Sequence, residues 1–400
     1  MRVLFISWWW PYPANNGAKI RCYNLLRQLA SAHDVTLLSF AAPGEAAPDQ
    51  VEHLRAFCRH VEALPKPSYR PRSARATAGY LSRWPRSLID TYSPQMAQRV
   101  RALAAAGAVD LVIGSQFQSM RYLDALRGIP TILEEIEVTG YYDHIRQARG
   151  AAARARAQLT VSKLNSALRG LLARGCAVTV VSEDERALVQ RAAPPGARVE
   201  VIPNGVDTLR LRPLPDVQPQ PFTLIYPGAV TFSANLDAVT YFIHDVLPLV
   251  RHTFPQARFI VTGGAGDVDI SALAAQPGVT FTGYLPDVAA AVREAQAAVV
   301  PLRVGGGTRL KVLEAMALGT PVIATRKGVE GLDVRPGANI LLADTPDEIV
   351  DAVATLFRDS ALRVGLAANA RRLVEENYDW AVIGRRLLTL VNDTAAAARP

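Results

Sequence analysis

Residues Gly305 to Thr325 read GGGTRLKVLEAMALGTPVIAT. Physically this is a glycine turn, a short helix, a glycine stop and a buried strand. Leu310, Leu313 and Ala317 recur at helical spacing and predict one inward face. Gly319 suits the helix C-terminus, Pro321 stops the helix from continuing, and VIAT is apolar and β-branched enough for the next strand. At the other end, Arg309 and Lys311 fall in the first turn, where the helix dipole disfavours cations by about 0.3–1 kcal/mol each. A local rule broken in this way often marks a functional site. Free backbone N–H groups, three glycines that let a ligand approach and two cations describe an anion site, most simply for a phosphate or diphosphate. Glu314, one turn beyond Lys311, is within reach of a hydroxyl beside that phosphate. The alternative is a solvated helix start in which Lys311 and Glu314 form an ordinary i,i+3 pair.

Outward from this stretch the chain alternates strands and helices. FTLIYPGAV, RFIVTGGAG and VTFTGYL read as strands with their turns, ANLDAVTYFIHDVLPLV as a helix, and VAAAVREAQAAVV as a helix running into a strand. Alternation of this kind predicts a parallel sheet. The N-terminal half repeats the pattern: RVLFIS, DVTLLSF, VDLVIGS, TILEEIEV and AVTVVSEDE read as strands, with a helix from about Ala18 to Ala30 after the first. Ligands in such doubly wound sheets bind at the carboxyl ends of strands. A dinucleotide-binding protein needs G-x-G-x-x-G in the first loop. Here that loop is WWWPYPANNGAK, which counts against an NAD or FAD enzyme. Asn15, Asn16 and Gly17 are residues that adopt left-handed backbone, and Lys19 and Arg21 crowd the following helix start. A plain tight turn is the equal alternative. The proline-rich LRPLPDVQPQP reads as a connector between two domains.

At 400 residues, half of them hydrophobic, the chain can bury a large core. No apolar run approaches a membrane span, and MRVLFISWWWPYP reads as a first strand rather than a signal peptide, so a cytoplasmic protein is expected. Cys22, Cys58 and Cys176 are isolated, which indicates neither a disulfide framework nor a zinc site. The net charge of +8 fits acidic partners: nucleotide diphosphates, an anionic bilayer or nucleic acid. No nucleic-acid motif accompanies the arginine-rich, aromatic stretch from Pro65 to Arg101. That stretch reads as a solvated, mobile face, or as an acceptor or membrane-facing surface. Asp267-Val-Asp269 reads as a surface loop, and no metal is assigned.

The stretch 305–325 resembles the nucleotide-sugar signature of the family 4 glycosyltransferases, retaining enzymes of the GT-B fold with two Rossmann-like domains facing a cleft. The resemblance covers nearly the whole chain, strongest from Ile202 to Leu332 and thinnest from Val51 to Gly107. It implies an acceptor-side domain over residues 1–205, a nucleotide-sugar domain over 206–380, entered at IPNGVD, and a closing helix, 381–400, that returns to the first domain. In the family two glutamates close the motif. The later one, matching Glu314, holds the nucleotide ribose. The earlier one contacts the transferred sugar, and Gly306 stands in its place, as in a variant branch with GGGTR before the helix. Arg309 and Lys311 are implied near the donor phosphates as catalytic groups. The resemblance extends donor contacts to Gly17 in the first loop, to Gly228, to Gly283, Tyr284 and Leu285 beside the nucleobase, and to Gly306, Gly307 and Thr308. A histidine that family members place near the reacting sugar falls on Ile136, leaving Glu135 or Glu137 to reach the cleft.

The function implied is retaining transfer of a hexosyl group from a UDP- or GDP-sugar to a glycan or lipid-linked acceptor. It implies no cofactor, no metal and no nucleic acid. Contact with the inner face of an anionic membrane is compatible with the charge. The rival is a catalytically silent nucleotide-binding subunit of a glycan-building complex.

Overall fold

The computed structural model describes residues 1–397. Two compact units make up the chain. The first runs Met1–Pro203 and resumes at Ile383; the second is Asn204–Val382, so the proline-rich segment from Leu211 lies inside the second unit. Each unit has its own buried apolar cluster.

The first unit is built on seven strands, β1 (Arg2–Ser7), β2 (Asp34–Ala41), β3 (His60–Pro65), β4 (Leu111–Ser115), β5 (Thr131–Ile136), β6 (Ala177–Val180) and β7 (Val199–Val201). They are parallel, in the order β3-β2-β1-β4-β5-β6-β7. Strands buried on both faces should be apolar throughout, and Leu4, Phe5 and Ile6 of β1 are fully buried. The order reverses between β1 and β4. Helices pack from both sequence neighbours and the far end of the chain: the closing helix, Trp380–Ala397, buries Ile383, Leu387 and Val391. Gly384 lies so close to Gln28 that a Cβ would sit 2.4 Å from its Oε1.

The second unit carries six strands, β8 (Gln220–Pro227), β9 (Arg258–Thr262), β10 (Val279–Gly283), β11 (Ala295–Val300), β12 (Val322–Ala324) and β13 (Leu341–Leu342). These too are parallel, in the order β10-β9-β8-β11-β12-β13, reversing between β8 and β11. The segment expected as a single helix at 234–250 is a helix over Ser233–Tyr241, a π-turn over Phe242–Val246 and a second helix from Leu247. Pro248 explains the break, since it cannot donate the hydrogen bond an unbroken helix needs. Among the described residues no helix is long and apolar enough to cross a membrane.

Two expectations for the first unit change. Arg70, Arg72, Arg75, Arg83, Arg99 and Arg101 in the stretch 65–101 are exposed, as a solvated face requires, but Arg75 and Arg86 are also tied to the segment's own main chain. Arg75 donates to the carbonyls of Ile89 and Tyr92 at 3.0 and 2.9 Å. Arg86 donates to Ala76 O at 2.9 Å and lies 4.2 Å from the Tyr80 ring centroid. These guanidiniums fold the segment onto itself. Lys19 and Arg21 likewise point inward: Lys19 Nζ bonds Glu45 Oε1 at 2.7 Å, and Arg21 meets Glu134 in an ion pair whose side chains are both 1% exposed. Arg21 also donates to the carbonyls of Ile202 and Pro203, at 2.8 and 3.0 Å, where the first unit's main chain ends.

Candidate functional site

In an open parallel sheet the carboxyl ends of the strands on either side of the order reversal form a natural crevice. In the second unit those strands are β8 and β11. The loop after β8 begins at Gly228; the loop after β11 contains Gly305, Gly306 and Gly307 and leads into the helix Leu310–Ala317. Lys311 connects the two. Its Nζ donates to Tyr226 Oη at 2.6 Å and to Asn235 Oδ1 at 2.9 Å, and lies 4.0 Å from the Tyr226 ring centroid. Tyr226 Oη donates to the same Asn235 Oδ1 at 2.7 Å, and Asn235 Nδ2 donates to Ala229 O at 2.7 Å. Gly228 has φ +151°, and a Cβ there would lie 2.9 Å from Lys311 Nζ. Only a glycine lets the backbone lie flat against this amine. Burial, and then the positive charge of Arg309, pull the Lys311 ammonium down to about 7. An amine so poised gains most from an arriving anion.

Arg309 does something other than expected. It is the N-cap of the helix, not a first-turn residue, and its side chain is 6% exposed. Its guanidinium donates to Gly306 O at 3.0 Å, Gly305 O at 2.9 Å and Lys327 O at 3.1 Å, and meets Glu330 Oε2 at 3.3 Å. Arg309 therefore shapes the glycine loop from beneath. No side chain caps the helix. Leu310 N donates to Thr308 O at 3.0 Å and Val312 N to Arg309 O at 2.9 Å, so among the described residues it is the Lys311 N–H of the first turn that is left to water or a ligand. Gly305 and Gly307 take φ +100° and +83°, which L residues rarely adopt. Gly306 has no such need, and a Cβ there would meet nothing within 4 Å. Thr308 Oγ1 accepts from Asn204 Nδ2 at 2.7 Å. Glu314 is half-buried, and burial raises its carboxyl above the usual range, against the pull of Arg210 and Lys311. Gly283, at φ +66°, turns the chain after β10, two strands away from β8; Tyr284 is 81% exposed and Leu285 half-buried.

The other sequence candidates lie in the first unit. Gln116 and Glu135 follow β4 and end β5, and both hold left-handed backbone, φ +63° and +60°. For side chains with a Cβ such strain costs about 1–3 kcal/mol each and gathers at functional sites. It turns the two side chains together: Gln116 Nε2 donates to Glu135 Oε2 at 2.9 Å, and Trp9 Nε1 donates to Gln116 Oε1 at 3.1 Å. The pairing of β5 with β6 slips between Leu133 and Ile136 to admit this turn. Burial first, then the Glu134 carboxylate, holds the Glu135 carboxyl well above its ordinary range. Ile136 is fully buried and Glu137 half-buried. Gly17 is an exposed first helical residue without positive φ. Asn15 and Asn16 also avoid the left-handed region, because Asn16 caps the helix in extended backbone, accepting from Lys19 N at 3.1 Å. A helix cap, not a glycine cradle, organises that loop.

Tyr226, Gln116, Asn204 and Glu330 are site residues the sequence reading did not select. Only Asn204, inside IPNGVD, carried a local signal.

Comparison with known proteins agrees with this architecture. Residues 15–210 match the model of Glycosyltransferase Family 4, and residues 221–359 match that of Glycosyl transferases group 1. Among curated proteins, the chain is 29% identical over 245 residues to a GDP-mannose-dependent alpha-(1-6)-phosphatidylinositol monomannoside mannosyltransferase of Mycobacterium tuberculosis, covering 55% of this chain and 62% of that protein. It is 27% identical over 214 residues to a phosphatidyl-myo-inositol mannosyltransferase of Mycobacterium leprae, covering 50% and 55%. The match thus spans about three fifths or less of each relative's length. Among solved structures, sucrose-phosphate synthase from Thermosynechococcus elongatus superposes with a TM-score of 0.71 at 19% identity, covering 99% of this chain and 100% of that one. Anabaena HepE in complex with UDP-glucose gives 0.63 at 14% identity, covering 98% and 100%. At such identities these likenesses speak for the fold alone. Two parallel Rossmann-like sheets, a last helix that returns to the first of them, and two family models that follow one another along the chain lead to one conclusion: the chain belongs to the family 4, group 1 glycosyltransferases of GT-B fold.

Proposed function

We propose that the protein transfers a hexosyl group, with retention, from a nucleotide diphosphate-sugar to an acceptor hydroxyl. The observation that carries this reading is Lys311, whose buried amine lies against Gly228 at the carboxyl ends of β8 and β11. The donor diphosphate would sit between that amine and the N-terminus of the helix Leu310–Ala317, with Glu314 on the ribose and the Gly283–Leu285 turn beside the nucleobase. As the bond from sugar to phosphate breaks, negative charge collects on the diphosphate. The Lys311 amine and main-chain N–H stabilise that charge more in the transition state than in the ground state. Arg309 contributes by holding the loop in shape. The departing phosphate takes the acceptor proton, so no protein base is required. Glu135, with Gln116 and Trp9, would receive the acceptor hydroxyl on the first unit, and no metal is required.

The mannosyltransferase relatives weight the donor towards a GDP-sugar and the acceptor towards a lipid-linked one, which would place the protein in the cytoplasm at the inner face of the membrane. The rival, a silent nucleotide-binding subunit, draws on Gly306 and on the fully buried Ile136. Thermal stabilisation by GDP, UDP, ADP and NAD decides the ligand class. At about 100 times Kd, linkage predicts about 2.7 kcal/mol of stabilisation from one nucleoside diphosphate. Stabilisation by NAD alone would overturn the donor reading. Turnover of the matching nucleotide sugar with an acceptor excludes the silent subunit. Gly228→Ala should lower kcat/KM for that donor about tenfold and cost about 1–3 kcal/mol of stability, since the new methyl needs a strained backbone and displaces the amine. A variant with wild-type turnover would separate Gly228 from the diphosphate.

A further inference from the structure

The glycine loop presents only main chain where the sugar of a nucleotide diphosphate-sugar would lie. Above Gly306 and Gly307 there is open space, since a Cβ on either would meet nothing within 4 Å. Main-chain groups alone are poor readers of sugar hydroxyls. Carboxylates are good ones, because an O–H donating to a charged oxygen makes a short, strong hydrogen bond.

One carboxylate is delivered to this loop from elsewhere in the chain. After β12 the backbone makes a tight turn at Lys327–Val329. Gly328 allows the turn to press on β11: a Cβ there would lie 2.4 Å from Val300 O, and Gly328 N donates to Thr325 Oγ1 at 2.9 Å. Glu330 follows at once. The same guanidinium that binds the carbonyls of Gly305 and Gly306 meets Glu330 Oε2 at 3.3 Å, so one planar group sets the carboxylate beside the loop. Lys327 Nζ also holds it, at 2.9 Å from Oε1 and 2.7 Å from Oε2. The guanidinium is buried and the carboxylate is not: the side chains of Arg309, Lys327 and Glu330 are 6%, 25% and 34% exposed. Partial exposure spares the pair part of its desolvation cost, and it also leaves the carboxylate open to a hydroxyl beside a loop that has no side chain of its own.

We infer that Glu330 reads the hydroxyls of the transferred sugar, a role for which position 306 offers no side chain. The inference rests on the donor reading above. The test uses full-length protein and whichever pair the wild type binds, GDP with GDP-mannose or UDP with UDP-glucose. Glu330→Gln keeps the shape and a weak contact to Arg309. Its affinity for the nucleotide sugar should fall about 10- to 100-fold, the worth of a hydrogen bond to a charged group, while that for the bare nucleoside diphosphate stays within about twofold. Deoxy analogues of the sugar add a second readout. Removal of the hydroxyl that Glu330 binds should weaken the wild type and leave Glu330→Gln unchanged. Equal loss of nucleotide and nucleotide-sugar binding would reduce Glu330 to a loop brace and overturn the inference, as would retention of both. Wild-type protein that binds neither member of either pair would overturn the donor reading itself, before any variant is made.

Discussion

Lys311→Met should lower kcat/KM for the nucleotide-sugar donor by about 10²- to 10³-fold, the loss typical of removing one preplaced electrostatic donor. Methionine keeps the length and burial of the lysine stem, so the fold is spared and the loss reports the charge. The pH profile makes the prediction specific. With its amine near 7 in the free protein, Lys311 is about half charged at neutral pH. A diphosphate favours the charged form, so binding should draw in a proton. Above about 7 donor affinity should therefore weaken, approaching tenfold per pH unit, until the pH reaches the amine's pKa in the complex. The sugar diphosphate itself titrates far below this range. Calorimetry in buffers of different ionisation heat measures the proton uptake, and Lys311→Met should abolish both the uptake and the slope. A variant that kept the wild-type slope would place the titrating group elsewhere.

The same depressed amine has a consequence for the unliganded protein. The folded state releases the Lys311 proton near 7, whereas the unfolded chain holds it to the ordinary value of 10.5. Between those limits the unfolded state binds more protons, so this group's contribution to stability rises with pH and is least favourable below about 7. Donor binding and stability of the empty protein thus respond to pH in opposite directions at one side chain.

What could be read from the sequence was what depends on neighbours along the chain. Gly305, Gly307, Gly319 and Pro321 punctuate the helix through backbone preferences, and the cation at Lys311 stands out because it violates a helix rule. The alternation of strands and helices gave both sheets for the same reason. What escaped depends on where long side chains travel. Arg309 and Lys311 look equivalent as sequence, but one turns under the loop and the other up to Tyr226, 85 positions away. The arginines at 75 and 86 carry the same charge as their neighbours, and only the carbonyls they find make them staples. Gln116 and Glu135 give no sign of left-handed backbone, since the neighbouring strands impose it. Glu330 reaches the glycine loop only through Arg309, 21 positions away.

The ion pair Arg21–Glu134 joins residues 113 positions apart and is a place where a single substitution should harm the fold severely. Arg21→Met leaves the Glu134 carboxylate buried without its cation, which costs about 3–5 kcal/mol. Glu134 Oε2 already has no hydrogen-bond partner among the described residues, so nothing else stands ready to compensate. Part of the loss has a second source, because Arg21 also satisfies the carbonyls of Ile202 and Pro203. The double variant Arg21→Met, Glu134→Leu separates the two. It removes the unpaired charge and should recover most of the loss, since apolar replacement of a whole buried pair is often near neutral. The two carbonyls remain unpaired in the double variant and should hold it below wild type by about 1–3 kcal/mol each. Trp8, Trp9, Trp10 and Trp84, four of the five tryptophans, lie in the first unit, so urea unfolding followed by fluorescence reads that unit. A single variant within about 1 kcal/mol of wild type would mean that the pair stabilises nothing. A double variant no better than the single would assign the whole effect to the carbonyls at the end of the first unit.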